Sequence, residues 1–270
     1  MRFNIFMTKT TRELAFLRDL SINENWTSRF TDLLDKHTSF KDAANILYIN
    51  AGTGDHCIAL RERSDEEIAI FATCENEDLL NIARDKAAAV GADVDFSMIE
   101  FEEDSFDAVI VDATFVPPSE LEDLIGESVS VAKSGGSVAV VLPSAGSFGE
   151  VFSLLWEVLF SEGLGEHGAA VETILADIPG ISRIEEMAKK AGLAKVKTET
   201  SIEVFEYENG KEFVAASLIA DFLLPEWLEM LDENEKEQVT EKLAQLIDSE
   251  DADLKFRFSV KATVLTAQKA

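Results

Sequence analysis

Apolar and polar positions follow two periods along this chain, and the period switches at short intervals. From Asn25 to His37 the apolar residues Trp26, Phe30, Leu33 and Leu34 fall at i, i+4, i+7 and i+8, the spacing of one helical face. NILYIN, over Asn45–Asn50, is a short apolar run that stops at AGTG, which predicts a buried strand entering a tight turn. A helix over Asp55–Arg63, a strand over Glu67–Thr73 and the helix NEDLLNIARDKAAAVG come next. The strands DVDFSM (Asp93–Met98) and FDAVIVDAT (Phe106–Thr114), a helix opened by PPSELEDL and the strand SVAVVLP (Ser137–Pro143) continue the rhythm. Strands alternating with helices predict an α/β fold whose parallel sheet is covered on both faces, with right-handed crossovers.

Past Gly146 the rhythm changes. FGEVFSLLWEVLF, ETILADI and ISRIEEMAKKAG predict helices with no strand between them. KVKTETSIEVFEY (Lys195–Tyr207) and LKFRFSVKATVLTA (Leu254–Ala267) are long and alternating, as in an antiparallel pair closing a mostly parallel sheet. Between them lies a helical insertion in which Val239, Leu243, Leu246 and Ile247 form one apolar face; it reads as a cap over the ligand edge, or as a buttress or dimer contact. No repeat period or low-complexity linker interrupts the chain, so a single domain over 1–270 is expected. Its parts are a helical segment at 1–44, sheet core and helices at 45–208, the insertion at 209–250 and a last strand at 251–270.

Composition narrows the partners. Hydrophobic residues make up 46% and charged ones 28% of the 270, enough for a packed core. The 52 acidic residues against 24 basic ones give a net charge of -28, which repels phosphate backbones and anionic lipid, so neither nucleic acid nor membrane is an expected partner. Cys57 and Cys74 lack CxxC spacing and His37, His56 and His167 are scattered, so no metal site or disulfide framework is expected. MRFNIFMTKTTRELAF holds no apolar run with a cleavage site, and no stretch approaches bilayer-spanning length, which predicts a cytoplasmic protein.

In an open α/β sheet, ligands bind beyond the carboxyl ends of the strands, where the first β–α turn offers backbone N–H groups. Ala51, Gly52, Thr53 and Gly54 fall there. Glycine permits positive φ and lets a ligand approach the backbone, which makes Gly52 and Gly54 the candidate ligand-facing pair. Such a pair also occurs in turns that only join a strand to a helix.

ILYINAGTGDHCIALRER resembles motif I of class I S-adenosylmethionine-dependent methyltransferases, a strand ending in an acid and followed by GxGxG. ENEDLLNIARDKA resembles the stretch after their second strand, EEDSFDAVIV the run into their fourth and SGGSVAVVLP their fifth. These segments cover Ile46 to Pro143 in order, and AGLAKVKTE followed by a late strand is similar to their terminal pair. The resemblance, to the type 11-like members, implies a Rossmann-like, mostly parallel seven-stranded sheet with an antiparallel last strand. It also implies S-adenosylmethionine over the carboxyl edge and a small-molecule methyl acceptor, in a monomer or homodimer. It assigns Asn50, Ala51, Gly52, Thr53 and Gly54 to the methionine end of the cofactor, Cys74 and Glu75 to the ribose, and Glu100 and Phe101 to the adenine.

The sequence departs from that pattern at several places. Tyr48 stands where the family has its motif I acid, and Asn50 where it has the first glycine. The ribose-binding carboxylate aligns with Cys74, with Glu75 one place later; a carboxylate suits that place because it accepts from both ribose hydroxyls. The acid that contacts adenine is missing from a shortened loop between Met98 and Phe106, which leaves Glu100 and Phe101 nearest. Asp112 closes the fourth strand, where a carboxylate can orient a nucleophile or take its proton, or cap the helix opened by Pro117 and Pro118. VDATFVPP lacks the NPPY or DPPY signature of amine-methylating enzymes. His56 faces the methionine end or belongs to the first helical turn, and Trp156, Phe222 and Trp227 line the acceptor pocket or the core. Two functions follow: a methyltransferase acting on a small molecule, or a non-catalytic protein of the same fold with a binding or structural role. A nicotinamide-dependent enzyme fits less well, because GxGxxG is incomplete.

Overall fold

The strands β1 (Asn45–Ile49) and β4 (Phe106–Asp112) are buried at almost every position, as expected of central strands covered on both faces. In the computed structural model, which describes residues 9–250 and 255–270, they are joined by β2 (Ala69–Thr73), β3 (Asp95–Ser97), β5 (Ala132–Ser144), β6 (Leu193–Tyr207) and β7 (Phe256–Lys269). The described residues form a seven-stranded sheet in the order β3-β2-β1-β4-β5-β7-β6. The first five strands are parallel, with Tyr48 beside Ala72 on one side and Ile110 on the other. The order reverses between β1 and β4, which places a ligand-binding crevice at their carboxyl ends.

The last strand runs the other way. Thr263 donates to Ser144 near the end of β5, at 2.7 Å, while Lys269 reaches Ala132 O at its start, at 2.9 Å. β7 is therefore antiparallel to β5. The ion pairs Arg257–Glu206 and Lys255–Glu208, with the amide of Ala270 donating to Gly192 O, set β6 antiparallel to β7. The expected sheet, with its reversed last strand and the helical insertion before it, is the observed one. Residues 1–8 and 251–254, which include half of the stretch MRFNIFMTKTTRELAF and Leu254, the first position of the strand expected over Leu254–Ala267, lie outside the described residues.

Helices differ more from expectation at the amino end. α1 (Thr11–Leu17) runs into a π-helical stretch, Arg18–Thr27, and then α2 (Ser28–His37), so the helix expected from Asn25 begins much earlier. Ala15, Arg18, Ile22, Trp26 and Phe30 are its buried stripe. The four-residue steps stay on one face because π winding closes each ring one residue later than α winding. α3 (Asp55–Arg63) matches expectation, and α4 (Glu77–Val90) is capped by Asn76, whose side chain accepts from the Leu79 amide at 3.0 Å. α5 (Leu121–Val131) starts after the two prolines rather than on them. β5 starts five residues earlier than expected. Gly135, at φ 78°, and Gly136, packed against the Lys133 carbonyl, carry it through a register shift beside Phe106.

The chain divides into two compact units. One comprises residues 11–144, 179–201 and 262–270. In it α5 and the later helix Ile181–Lys190 cover a core built on Leu47, Val109, Val111, Val138 and Val140. The other comprises Lys9, Thr10, 145–178 and the described residues of 202–261. It holds the helices Gly149–Ser161, Gly168–Asp177, Gly210–Ala215, Leu224–Trp227 and Glu233–Glu250, around Trp227 packed on Phe148 and Phe152. Val239, Leu243 and Ile247 are buried there and Leu246 half-buried, so the apolar face expected on the insertion is a packed one.

A Cβ on Gly210 would lie 2.1 Å from the Ala244 carbonyl oxygen, so these two helices meet backbone to backbone. Gly210→Ala is therefore expected to lower stability by about 1–3 kcal/mol, the cost of overpacking where the neighbour cannot yield. Gly126→Ala, inside α5 with nothing within 4 Å of the new Cβ, is expected to raise stability by about 0.5–1 kcal/mol. Denaturant unfolding of both variants tests the pair; a Gly210→Ala protein as stable as wild type would contradict the contact.

Candidate functional site

β1 ends at Ile49, and the chain enters α3 through a turn in which Asn50, Gly52 and Gly54 have φ of 60°, 57° and 82°. Asparagine tolerates this left-handed conformation better than most non-glycine residues. It can therefore stand where the first glycine of the motif would. Its side-chain amide also donates to Asp112 O at 3.2 Å, which ties the end of β1 to the end of β4. Gly54 serves packing: an added Cβ would lie 2.8 Å from Phe96 Cζ and 3.0 Å from Ala83 Cβ. Gly52 is open by comparison. The nearest atoms to a Cβ there all belong to the Arg18 guanidinium group, at 3.6–3.8 Å.

Glu75 converges on the same point. Its Oε2 accepts the Gly52 amide at 3.2 Å, and its Oε1 pairs with Arg18 Nη1 at 2.8 Å. Glu75, one place past the family position, thus brings a carboxylate to the turn. Cys74 is buried, and burial pushes its thiol up to about 12, leaving it a neutral wall. Arg18 also lies over the Phe115 ring, with Cζ 4.7 Å from the centroid, and its Nε has no hydrogen-bond partner. Asp112 is buried on the same strand edge, where Oδ1 accepts the Thr114 amide at 2.9 Å. Burial pushes its carboxyl above the usual range, against the pull of Arg18 and Thr114. It does not cap α5, whose N-cap is Glu120.

The π-helical stretch is fastened to this turn. Asn23 donates to Thr53 and Asp55, and Lys86 bridges Asp19 and Asp55. Tyr48 points into a second chain of contacts: its hydroxyl is hydrogen-bonded to His56 Nδ1 at 3.1 Å, and His56 Nε2 to Asp35 at 3.1 Å, with Arg63 on the same carboxylate. His56 thus sits in the first turn of α3, bonded to Tyr48 and Asp35. Burial opposes ionisation of Asp35, but its hydrogen bonds from His56 and Arg63 hold it below the usual carboxylate range.

Other expected residues make different contacts. Glu100 is exposed in the loop after β3, and Phe101 packs edge-on to Phe71 and Phe106, at the start of β4. Ser97, the last residue of β3, instead offers a buried hydroxyl with no partner beside Thr73. Trp227 is core within its own unit, Phe222 is half-buried there, and Trp156 is half-exposed and stacked on Phe160. Sequence reasoning missed Arg18, Asn23 and Ser97. Arg18 alone carried a signal, a charged residue at a stripe position flanked by Ala15, Ile22 and Trp26. Among the described residues, no cluster of three or more His, Cys, Asp or Glu is arranged to hold a metal, and no helix is long and apolar enough to cross a membrane.

The model of the ubiE/COQ5 methyltransferase family matches residues 14–203. The chain belongs to the ubiE/COQ5 methyltransferase family. The class I resemblance seen in the sequence is thereby confirmed, and this family member is an S-adenosylmethionine-dependent methyltransferase. YcgJ from Bacillus subtilis is 14% identical, with 90% of this chain and 98% of that one covered and a TM-score of 0.58. Phosphoethanolamine N-methyltransferase 2 of Haemonchus contortus, in complex with phosphomonomethylethanolamine and S-adenosylhomocysteine, is 16% identical, with 97% and 59% covered and a TM-score of 0.57. The [4+2]-cyclase SpnF is 19% identical, with 90% and 80% covered and a TM-score of 0.50. These identities speak for the fold alone. A comparison with curated proteins finds no match. In this ubiE/COQ5-family chain the Gly52 face covered only by the Arg18 side chain, the Glu75 carboxylate and the unpartnered Ser97 hydroxyl lie at the carboxyl ends of neighbouring strands and are groups of the kind that the cofactor would need.

Two outcomes test this geometry. At position 50 the order of stability is expected to be Gly and Asn above Ala, with Val lowest; a left-handed φ costs Ala about 1 kcal/mol and a β-branched residue more. A stable Asn50→Val protein would contradict the left-handed turn. For Asp35, a folded-state pKa below the unfolded value of about 3.9 means that the α2–α3 clasp stabilises the protein above about pH 4 and is lost as pH falls through the lowered value. Acid unfolding of Asp35→Asn is expected to show a shallower pH dependence than wild type.

Proposed function

We propose that this methyltransferase acts on a small molecule and holds its cofactor over the Asn50–Gly54 turn. The observation that carries the reading is Glu75, whose carboxylate reaches the Gly52 amide beside the one glycine face of the turn that only a flexible side chain covers. Asn50, Ala51, Gly52, Thr53 and Gly54 then line the methionine end, and Glu75 accepts from the ribose hydroxyls. The Ser97 hydroxyl is the polar group on the adenine side, in place of Glu100 and Phe101. When bound, S-adenosylmethionine supplies a methyl group already activated on a positive sulfur, so the chain's work is to align the acceptor and keep water out. Asp112 is the group on the acceptor side, a carboxyl that burial pushes above the usual range and that can orient the acceptor or take its proton. A small acceptor is supported by the net charge of -28, which disfavours nucleic acid. The Haemonchus enzyme, bound to a phosphorylated amine, is a precedent on this fold.

Isothermal titration with S-adenosylmethionine and S-adenosylhomocysteine tests the reading. Micromolar binding is expected. Gly52→Val should abolish it, because the new side chain fills the open face and is strained at φ 57°. Glu75→Gln should weaken it about tenfold or more, the cost of losing a charged acceptor. A folded wild-type protein that takes up neither ligand would sink the proposal.

A further inference from the structure

Arg18 is an unusual residue to find at the centre of a cofactor site. Its side chain is only 9% exposed, in a stripe otherwise made of Ala15, Ile22, Trp26 and Phe30. The guanidinium covers Gly52, pairs with Glu75, lies over Phe115 and is close enough to Asp112 to act on its carboxyl. Two carboxylates and an aromatic face suit a cation. S-adenosylmethionine is such a ligand, with its charge on sulfur.

We propose that Arg18 is an internal competitor for the cofactor site, a side chain that must leave Glu75 and Gly52 before the cofactor can use them and that sets the apparent affinity for donor and product alike. The inference rests on the cofactor reading above. Three features support it. The backbone of the π-helical stretch is fastened by Asn23 and by Lys86 through Asp19, so the helix can stay in place while only the far end of one flexible side chain moves. A purely structural arginine this deeply buried should have its donors satisfied, yet Nε has no partner. Glu75, the anchor of the covering position, is also the carboxylate that the ribose needs, so the two uses exclude each other. A covering position favoured about tenfold over the open one raises the apparent Kd about tenfold, by the same factor for every ligand that needs the site open.

The test is titration of wild type, Arg18→Gln and Arg18→Met with S-adenosylmethionine and with S-adenosylhomocysteine, alongside the melting temperature without ligand. Methionine is included because an unbranched apolar chain suits the stripe and keeps the protein folded should glutamine not. Both variants are expected to bind both ligands about tenfold more tightly than wild type, by a common factor. Weaker binding would make Arg18 a cofactor ligand instead, and unchanged binding with a lowered melting temperature would make it structural; either result overturns the competitor. No binding by any of the three folded proteins would overturn the cofactor reading and the competitor together, a result distinct from both.

Discussion

Three positive φ angles within five residues, at Asn50, Gly52 and Gly54, decide where the rest of the site can be. They fold the end of β1 back so that the Gly52 amide meets Glu75 from the end of β2, and so that Asn50 reaches the last carbonyl of β4. They also bring α3 close enough to α4 and β3 that a single methyl on Gly54 would collide with Phe96 and Ala83. Three strand ends and two helices are thereby fixed to one short turn. A glycine turn that merely linked a strand to a helix would not need this convergence of a carboxylate, an amide and a buried cation.

Electrostatics then shape the face above the turn. Asp112 and Glu75 lie on it, and the amino-terminal helix contributes the balancing charge through Arg18 rather than a hydrophobic residue. Burying an arginine within an apolar stripe is costly unless it is paired, and the pairing partner here is Glu75. The stripe is wound as a π-helix over this stretch, a form often found where function overrides regularity. Asn23, one turn on from Arg18, bonds to the turn itself through Thr53 and Asp55. The helix is thus part of the site rather than only a cover over the sheet.

The sheet was legible in the sequence because its central strands are continuous apolar runs cut off by turn residues, as in NILYIN before AGTG and FDAVIVD before the prolines. The order of strands and helices followed from their alternation. The amino-terminal helix was legible only from Asn25 onward, since Asp19, Ser21 and Asn23, with the charged Arg18 on the buried stripe itself, interrupt the apolar pattern. Glu75 could be found by its position beside Cys74. Phe101 could not be placed, because a half-buried phenylalanine in a short loop fits a hydrophobic core as well as an adenine pocket, and Phe71 with Phe106 supplied the core. Ser97 gave no signal, being one small polar residue at a strand end.

Seen in the fold, the departures from the motif compensate one another. Asn50 replaces a glycine yet keeps the left-handed conformation that the glycine provides. Glu75 restores, one residue on, the carboxylate that Cys74 lacks. Tyr48 removes a carboxylate from a fully buried position on the same side of the sheet as Asp112, where burial, and after it the nearby Asp112, pushes the tyrosine hydroxyl's ionisation upward. A third acid there would add repulsion to a face whose compensating cation is Arg18. A neutral hydroxyl, bonded to His56 and through it to Asp35, keeps the end of β1 packed without that charge. The altered motif is therefore a rebalanced set in which charge, turn geometry and helix anchoring are solved together.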